Sequence, residues 1–323
     1  MSKENILSMI SKMSEEELID LACNTPDVEI LNILAENANY EVRCKVAENM
    51  NTPVELLAVL ARDEDYSVRW AVAENRSTSA DVLAVLAKDE VYEVRTAVAA
   101  NKNTSADTLA ILAKDEDIDA REAVAANENT SADVLTMLAK DEEIGVRIAV
   151  AENKNTSAET LVMLAQDVDK WVRSAVAENK STRIETLTML ASDKDWWIRW
   201  TVARNENTPK EALAVLANDD VYDVRRTVAN NRNTSADALA VLAQDKHWLV
   251  RQTVALNENT SVDILAMLAK DEDNGVRRAV VNNPNTSYNT LLMLSKDKNV
   301  YISETAEEAL KERKEKGRTN IER

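Results

Sequence analysis

The segment NKNTSADTLAILAKDEDIDAREAVAA, residues 101–126, recurs without a gap as ten copies of 26 residues from Asn49 to Glu308. An eleventh, divergent copy runs from Cys23 to Glu48, so repeats begin at 23, 49, 75, 101, 127, 153, 179, 205, 231, 257 and 283. A period of this length means that each copy is one supersecondary unit, able to cover its apolar side only by stacking on its neighbours. The expectation is a single array over 23–308. Residues 1–22, with Ile6, Leu7, Ile10, Leu18 and Leu21, read as an N-terminal helical cap, and 309–323, with KERKEKGR, as a polar C-terminal cap and tail.

Within a repeat, positions are counted as slots from the opening asparagine. Only three glycines and four prolines occur in 323 residues, and Leu stands at slots 9 and 12, as in Leu109 and Leu112. That pattern predicts an all-α protein with two short helices per repeat. Thr at slot 4 with an acid three residues on (Thr104 and Asp107) reads as a capping box opening a first helix, A, of about ten residues. Pro53 and Pro209 then fall at its first helical position. A second helix, B, follows the D-E-D segment and ends at the next asparagine, a residue that tolerates the left-handed conformation. At roughly 8–10 Å per packed layer, the stack should extend on the order of 100 Å.

NTPVELLAVLARDEDYSVRWAVAEN, residues 51–75, carries an Asp…Val-Arg signature. It resembles the leucine-rich repeat variant family and, more broadly, HEAT-like repeats. The resemblance covers 23–308 and implies a right-handed α-solenoid of about eleven two-helix repeats, with the B helices lining its concave side. One helix per repeat is 3₁₀ in the variant family, but B is long enough here to be expected as α. Some members carry a cysteine-ligated iron–sulfur module. This chain has only Cys23 and Cys44, without a CxxC, and one histidine, His247. No metal site and no cofactor are expected.

The net charge of -18 opposes wrapping a nucleic-acid backbone and docking on anionic lipid, and favours a basic or neutral partner. The N-terminus lacks a continuous apolar run of the secretory kind, and no long apolar stretch follows, so a cytoplasmic protein without a membrane segment is expected. Nothing in the pattern specifies an oligomeric state.

Asp at slot 15 is missing from the first repeat (Asn37), and Arg at slot 21 from the last (Ser303). If each Arg pairs with the Asp of the following repeat, every member finds a partner: Arg43 with Asp63, Arg147 with Asp167, Arg277 with Asp297. Pairing within a repeat would strand the ends. The recurrent charges therefore read as an inter-repeat ladder rather than a catalytic set.

Repeats differ at slots 18, 19, 22 and 26 of helix B, which fall on one arc opposite the apolar face. All six tryptophans lie there: Trp70, Trp171, Trp196, Trp197, Trp200 and Trp248. In the first five repeats these slots hold Glu41, Glu48, Glu74, Glu93, Asp119, Glu122 and Glu152, and no base. In the next five they hold Glu178 and Asp223 against Lys170, Arg204, Arg226 and Arg278.

Trp, Tyr and Arg dominate binding hot spots. The expected function is a non-catalytic protein- or peptide-binding scaffold. Trp70, Trp171, Trp196, Trp197, Trp200, Tyr222 and Trp248 would supply contact area, Arg204 and Arg226 would engage carboxylates, and the acidic half would face a basic segment. One alternative is nucleic-acid binding, since Trp196, Trp200, Asp223 and Arg226 are loosely similar to the concave faces of HEAT-like alkylpurine DNA glycosylases. Another is an acidic, self-assembling spacer. No nucleophile–base pair or paired catalytic carboxylates emerge, so no enzyme is expected.

Overall fold

The computed structural model describes residues 3–319. The described residues form 24 helices and no strand. They fall into two compact blocks that divide between Leu164 and Ala165, each built from the same two-helix repeat. No helix among the described residues is long and apolar enough to cross a membrane.

Every A helix has seven residues, from slot 6 to slot 12, as in Ala106–Leu112, and not the ten read from the pattern. The difference lies in the cap. Ser105, at slot 5, accepts from the Thr108 N–H and is extended at ψ 154°. Thr at slot 4 is no cap but a buried hydroxyl, and Thr78 Oγ1 donates to the Val72 carbonyl at 2.6 Å. The capping box read at slot 4 is thereby corrected, and Pro53 and Pro209 move from the first helical position to the cap itself. A reciprocal capping box does occur at Ser14 and Glu17, opening Glu15–Asn24.

B helices span slots 18 to 26 and are α-helical, as in Ile118–Ala126 and Trp196–Arg204. Within each block they form the spine, each packing chiefly on the B helices beside it. Val or Ile at slot 20, Val at slot 24 and Ala at slot 25 meet the A-helix leucines in an aliphatic core, for example Ile198, Val202, Ala203 and Leu213. The last B helix runs on as one helix, Val300–Thr319, rather than ending before a separate tail; residues 320–323 lie outside the described residues.

The slot 1 asparagine is not left-handed. Asn101 has φ -69° and ψ 131°, and no described non-glycine residue has a positive φ. Its role is in its side chain. Nδ2 of Asn101 donates to the carbonyls of Ala73 (2.7 Å) and Asn75 (3.1 Å) in the preceding repeat, and Oδ1 accepts from the Asn103 N–H (2.9 Å). Asn127 repeats this on Ala99 and Asn101, and Asn231 on Ala203 and Asn205. These buried amides close carbonyls that the ends of the B helices would leave open. Asn103, at slot 3, adds a second line, donating to Arg76 and Thr78 carbonyls.

Arg313 continues that second line at the end of the array. Its guanidinium donates to the carbonyls of Pro284 (3.1 Å) and Thr286. Those are slots 2 and 4 of the last repeat, the two acceptors that a following slot 3 asparagine would take. One arginine on the extended helix thus does the work of a further repeat.

The charged ladder is the third inter-repeat link. In the N-terminal block Arg43 pairs with Asp63 (2.7 Å), Arg69 with Asp89, Arg95 with Asp115 and Arg121 with Asp141. In the C-terminal block Arg173 pairs with Asp193, and the series ends with Arg277 and Asp297 (2.7 Å). Arg147 donates to the Asp141 and Glu142 carbonyls, and Asp167 accepts from the Asp169 N–H. Arg225 shows the full pattern: Nε and Nη2 fork onto Asp245, while Nη1 donates to the carbonyls of Asp219 and Asp220 (2.7 and 3.1 Å). Within each block the arginines of this series therefore clamp their own A–B loop and grip the next repeat. Burial alone would raise the Asp245 carboxyl, but the Arg225 fork and the His247 N–H outweigh it and hold it below the usual value.

Two outcomes are expected. Arg225→Ala leaves the Asp245 carboxylate with only the His247 N–H and two carbonyls without partners, and should cost roughly 3 kcal/mol, read in a denaturant melt. Because the ladder carboxyls Asp63, Asp89, Asp115, Asp141, Asp193, Asp219, Asp245, Asp271 and Asp297 lie lower folded than unfolded, their stabilisation is full above the unfolded value of about 3.9 and is lost as pH falls through the folded values. Melting temperature should therefore hold between about pH 7 and 5 and drop steeply below about pH 4.

Candidate tryptophan face on the B helices

Slot 18 opens each B helix and points outward. In the N-terminal block it presents Tyr40, Tyr66, Tyr92, Ile118 and Ile144, and in the C-terminal block Trp196, Tyr222 and Trp248, all exposed. Slot 22 is not the uniformly exposed stripe that the sequence suggests, although Arg226 and Arg278 there are exposed. Cys44 and Ser174 are buried, and Trp70 and Trp200 are half-buried. The reason is contact across repeats, since slot 22 of one repeat lies against slot 19 of the next. A Cβ on Gly145 would sit 2.6 Å from Glu122 Oε2, and one on Gly275 would sit 3.0 Å from Gln252 Nε2. At these two positions the end of a long polar side chain lies over the slot 19 glycine.

In the C-terminal block slot 19 of two successive repeats, with slots 18 and 22 of the second, brings four indoles together. Trp197 is the hub. Its ring stacks on Trp200 (4.8 Å, 30°) and meets Trp196 (5.7 Å, 84°) and Trp171 (6.5 Å, 67°) edge-on. These are the geometries that the aromatic quadrupole favours. Trp171 is 51% exposed and Trp196 44%, whereas Trp197 and Trp200 are half-buried beneath them. Asp169 and Asp195 cap their helices at the Trp171 and Trp197 N–H groups.

Cations rim the cluster. Lys170 Nζ stands 5.0 Å over the Trp171 ring and 3.6 Å from Asp195, and the Arg204 guanidinium stands 5.4 Å over Trp200. A hollow of ≈ 310 Å³ at the start of the helices is lined by Lys170, Trp171, Lys194, Asp195, Trp196 and Trp197. Another, of ≈ 350 Å³ at their ends, is lined by Thr201, Arg204, Glu178, Lys180 and their neighbours.

Tyr222 and Trp248 belong to a separate stack that the sequence reading missed. His247 lies flat on Tyr222 (4.1 Å, 10°) and 6.4 Å from Trp248, while its Nδ1 accepts from the Leu249 N–H. The signal was its slot: position 17 caps helix B, and only this repeat puts an aromatic ring there. Arg226 is exposed on the neighbouring helix, Tyr222–Asn230. Trp70 lies on Tyr66–Glu74 in the N-terminal block and makes no ring contact among the described residues.

Acids surround the N-terminal aromatics. The Glu93 carboxylate, by hydrogen bond and charge, raises the Tyr92 phenol, with Asp117 and Asp119 adding to it. Burial, then Glu48, raises the Glu74 carboxyl. Burial also pushes the Cys44 thiol up to about 11, which keeps it protonated. Among the described residues no group of three His, Cys, Asp or Glu side chains is placed to hold a metal ion.

Fold and face together define a helical-repeat scaffold. The family model described as leucine rich repeat variant matches residues 40–65, 92–117, 144–169 and 222–247, each running from slot 18 of one repeat to slot 17 of the next. The chain is also similar to a solved leucine-rich repeat variant with a novel repetitive structural motif, at 25% identity and a TM-score of 0.54, over 69% of this chain and 88% of that one. An engineered protein matches at 16% identity and a TM-score of 0.35, over 96% and 98% of the two chains. A chain from a structure of Kap95p binding to RanGDP matches at 12% identity and 0.40, over 93% of this chain and 53% of that one. No curated protein matches the sequence.

The hub geometry carries a spectroscopic expectation. Trp197→Leu should abolish the coupled indole signal in circular dichroism, whereas Trp70→Leu should leave it in place.

Proposed function

We propose that this helical-repeat scaffold is a non-catalytic binder of a protein or peptide, anchored on Trp171, Trp196, Trp197 and Trp200. One observation carries the reading: four indoles touch one another on slots that the repeat framework does not use, and the outer two stay open to solvent. Exposed apolar area of this kind on a charged surface is characteristic of interaction sites, and Trp supplies large contact area at low entropic cost. The Tyr222–His247–Trp248 stack extends the same face. On the N-terminal block, Tyr92 among Glu90, Glu93, Glu116 and Asp117 suits a basic segment, whose cations would meet both ring and carboxylates.

The test is capture of binding partners by the wild type against a Trp171→Ala/Trp196→Ala double variant. These two rings are the exposed ones, so the melt should be unchanged while binding weakens by about 2 kcal/mol or more, about thirty-fold in affinity. Full affinity in the double variant would sink the proposal.

A further inference from the structure

The arginines of this chain are of two kinds. Those at slot 21 spend their donors on an aspartate and on loop carbonyls, as Arg225 does. Arg204, Arg226 and Arg278, at slots 26 and 22 of the C-terminal block, are exposed and make no ion pair among the described residues. The chain has 57 acids against 39 Lys and Arg, so a free guanidinium has carboxylates in ample supply. Glu178 lines the same hollow as Arg204 and still does not pair with it. Arg204 instead lies over Trp200, which restrains the guanidinium while leaving its N–H groups unspent. A planar fork held in that way is suited to two-point contact with a carboxylate.

The order along the block adds a direction. The four-indole cluster occupies the B helices Lys170–Glu178 and Trp196–Arg204, Trp248 opens Trp248–Leu256, and the free arginines lie on Trp196–Arg204, Tyr222–Asn230 and Asn274–Asn282. A segment crossing successive B helices from the four-indole cluster meets Arg204, then Arg226 beside Tyr222, then Trp248, and Arg278 last.

Resting on the function proposed above, we infer that the occupant of this face is an acidic protein segment, in which an apolar anchor for the tryptophans leads into a run of carboxylates for Arg204, Arg226 and Arg278. Charge complementarity selects this class. It also makes the partner of the C-terminal block opposite in sign to the one that suits the acidic N-terminal face.

The experiment uses the full chain and three fluorescent peptides of equal length, each opening with Leu-Trp and continuing with glutamates, glutamines or lysines. Oligothymidylate serves as a fourth probe. The glutamate peptide should bind best, should weaken with added salt, and should lose about ten-fold or more in affinity for an Arg204→Glu/Arg226→Glu variant that melts like wild type. Equal binding of the glutamine or lysine peptide, or preferential binding of oligothymidylate, overturns the inference. If the peptides bind alike and all depend on Trp171 and Trp196, the binding function stands and only the acidic class fails. Failure of every peptide to bind overturns the acidic assignment, and the capture experiment above then decides the function separately.

Discussion

The side-chain amide at slot 1 is the interaction on which the rest depends. A seven-residue helix cannot hold itself together in water, because nucleation costs more than its few internal hydrogen bonds return. These A helices persist because neighbouring repeats bury their leucines and because asparagine amides close the carbonyls at the ends of the spine. Most of these amides are buried, so their partners have no water to fall back on. Stability in each block therefore resides in the steps between repeats more than in any one repeat. The three links are complementary: slot 1 ties helix ends, slot 3 ties turns, and the Arg–Asp pair ties the loops between A and B.

Economy in the framework leaves the B helices free to vary. Slots 20, 24 and 25 are committed to the core and slot 21 to the ladder. What remains is a strip of side chains with no structural duty in most repeats. In the C-terminal block that strip collects indoles and unpaired guanidinium groups, and in the N-terminal block phenols and carboxylates. The contrast between Arg225, with all its neighbours engaged, and Arg226 beside it, with none, condenses the division into two consecutive residues.

Periodic features were readable from the residues alone. The 26-residue repeat, the helical class and the buried leucines at slots 9 and 12 all follow from spacing. The missing residues at the array ends place Arg43 against Asp63, which the structure holds at 2.7 Å. Misreadings came where residues were assigned to the helix end beside them although their side chains serve another partner. Asn101 looked like a helix terminator, but its amide reaches Ala73, 28 residues back. Thr104 looked like a cap, and its hydroxyl serves the preceding helix. The tryptophans could be placed on one face, yet the hub at Trp197 needs Trp171, 26 residues earlier in the chain, and no spacing rule says how deep slot 22 lies.

That depth has a consequence for how such a surface changes over time. Because slot 22 of one repeat lies against slot 19 of the next, Glu122 in its present rotamer reaches over Gly145 and Gln252 over Gly275. The variable face is therefore composed of neighbouring pairs rather than independent positions. Loss or duplication of a single interior repeat would leave the core and the Arg–Asp ladder in register, since every interior repeat carries the slot 1 asparagine, the slot 15 aspartate and the slot 21 arginine. At the seam, however, a slot 22 side chain would meet a slot 19 residue it had never faced. Changes in repeat number would thus preserve the fold while creating a new local surface at each junction, giving this architecture a route to altered recognition without any point substitution.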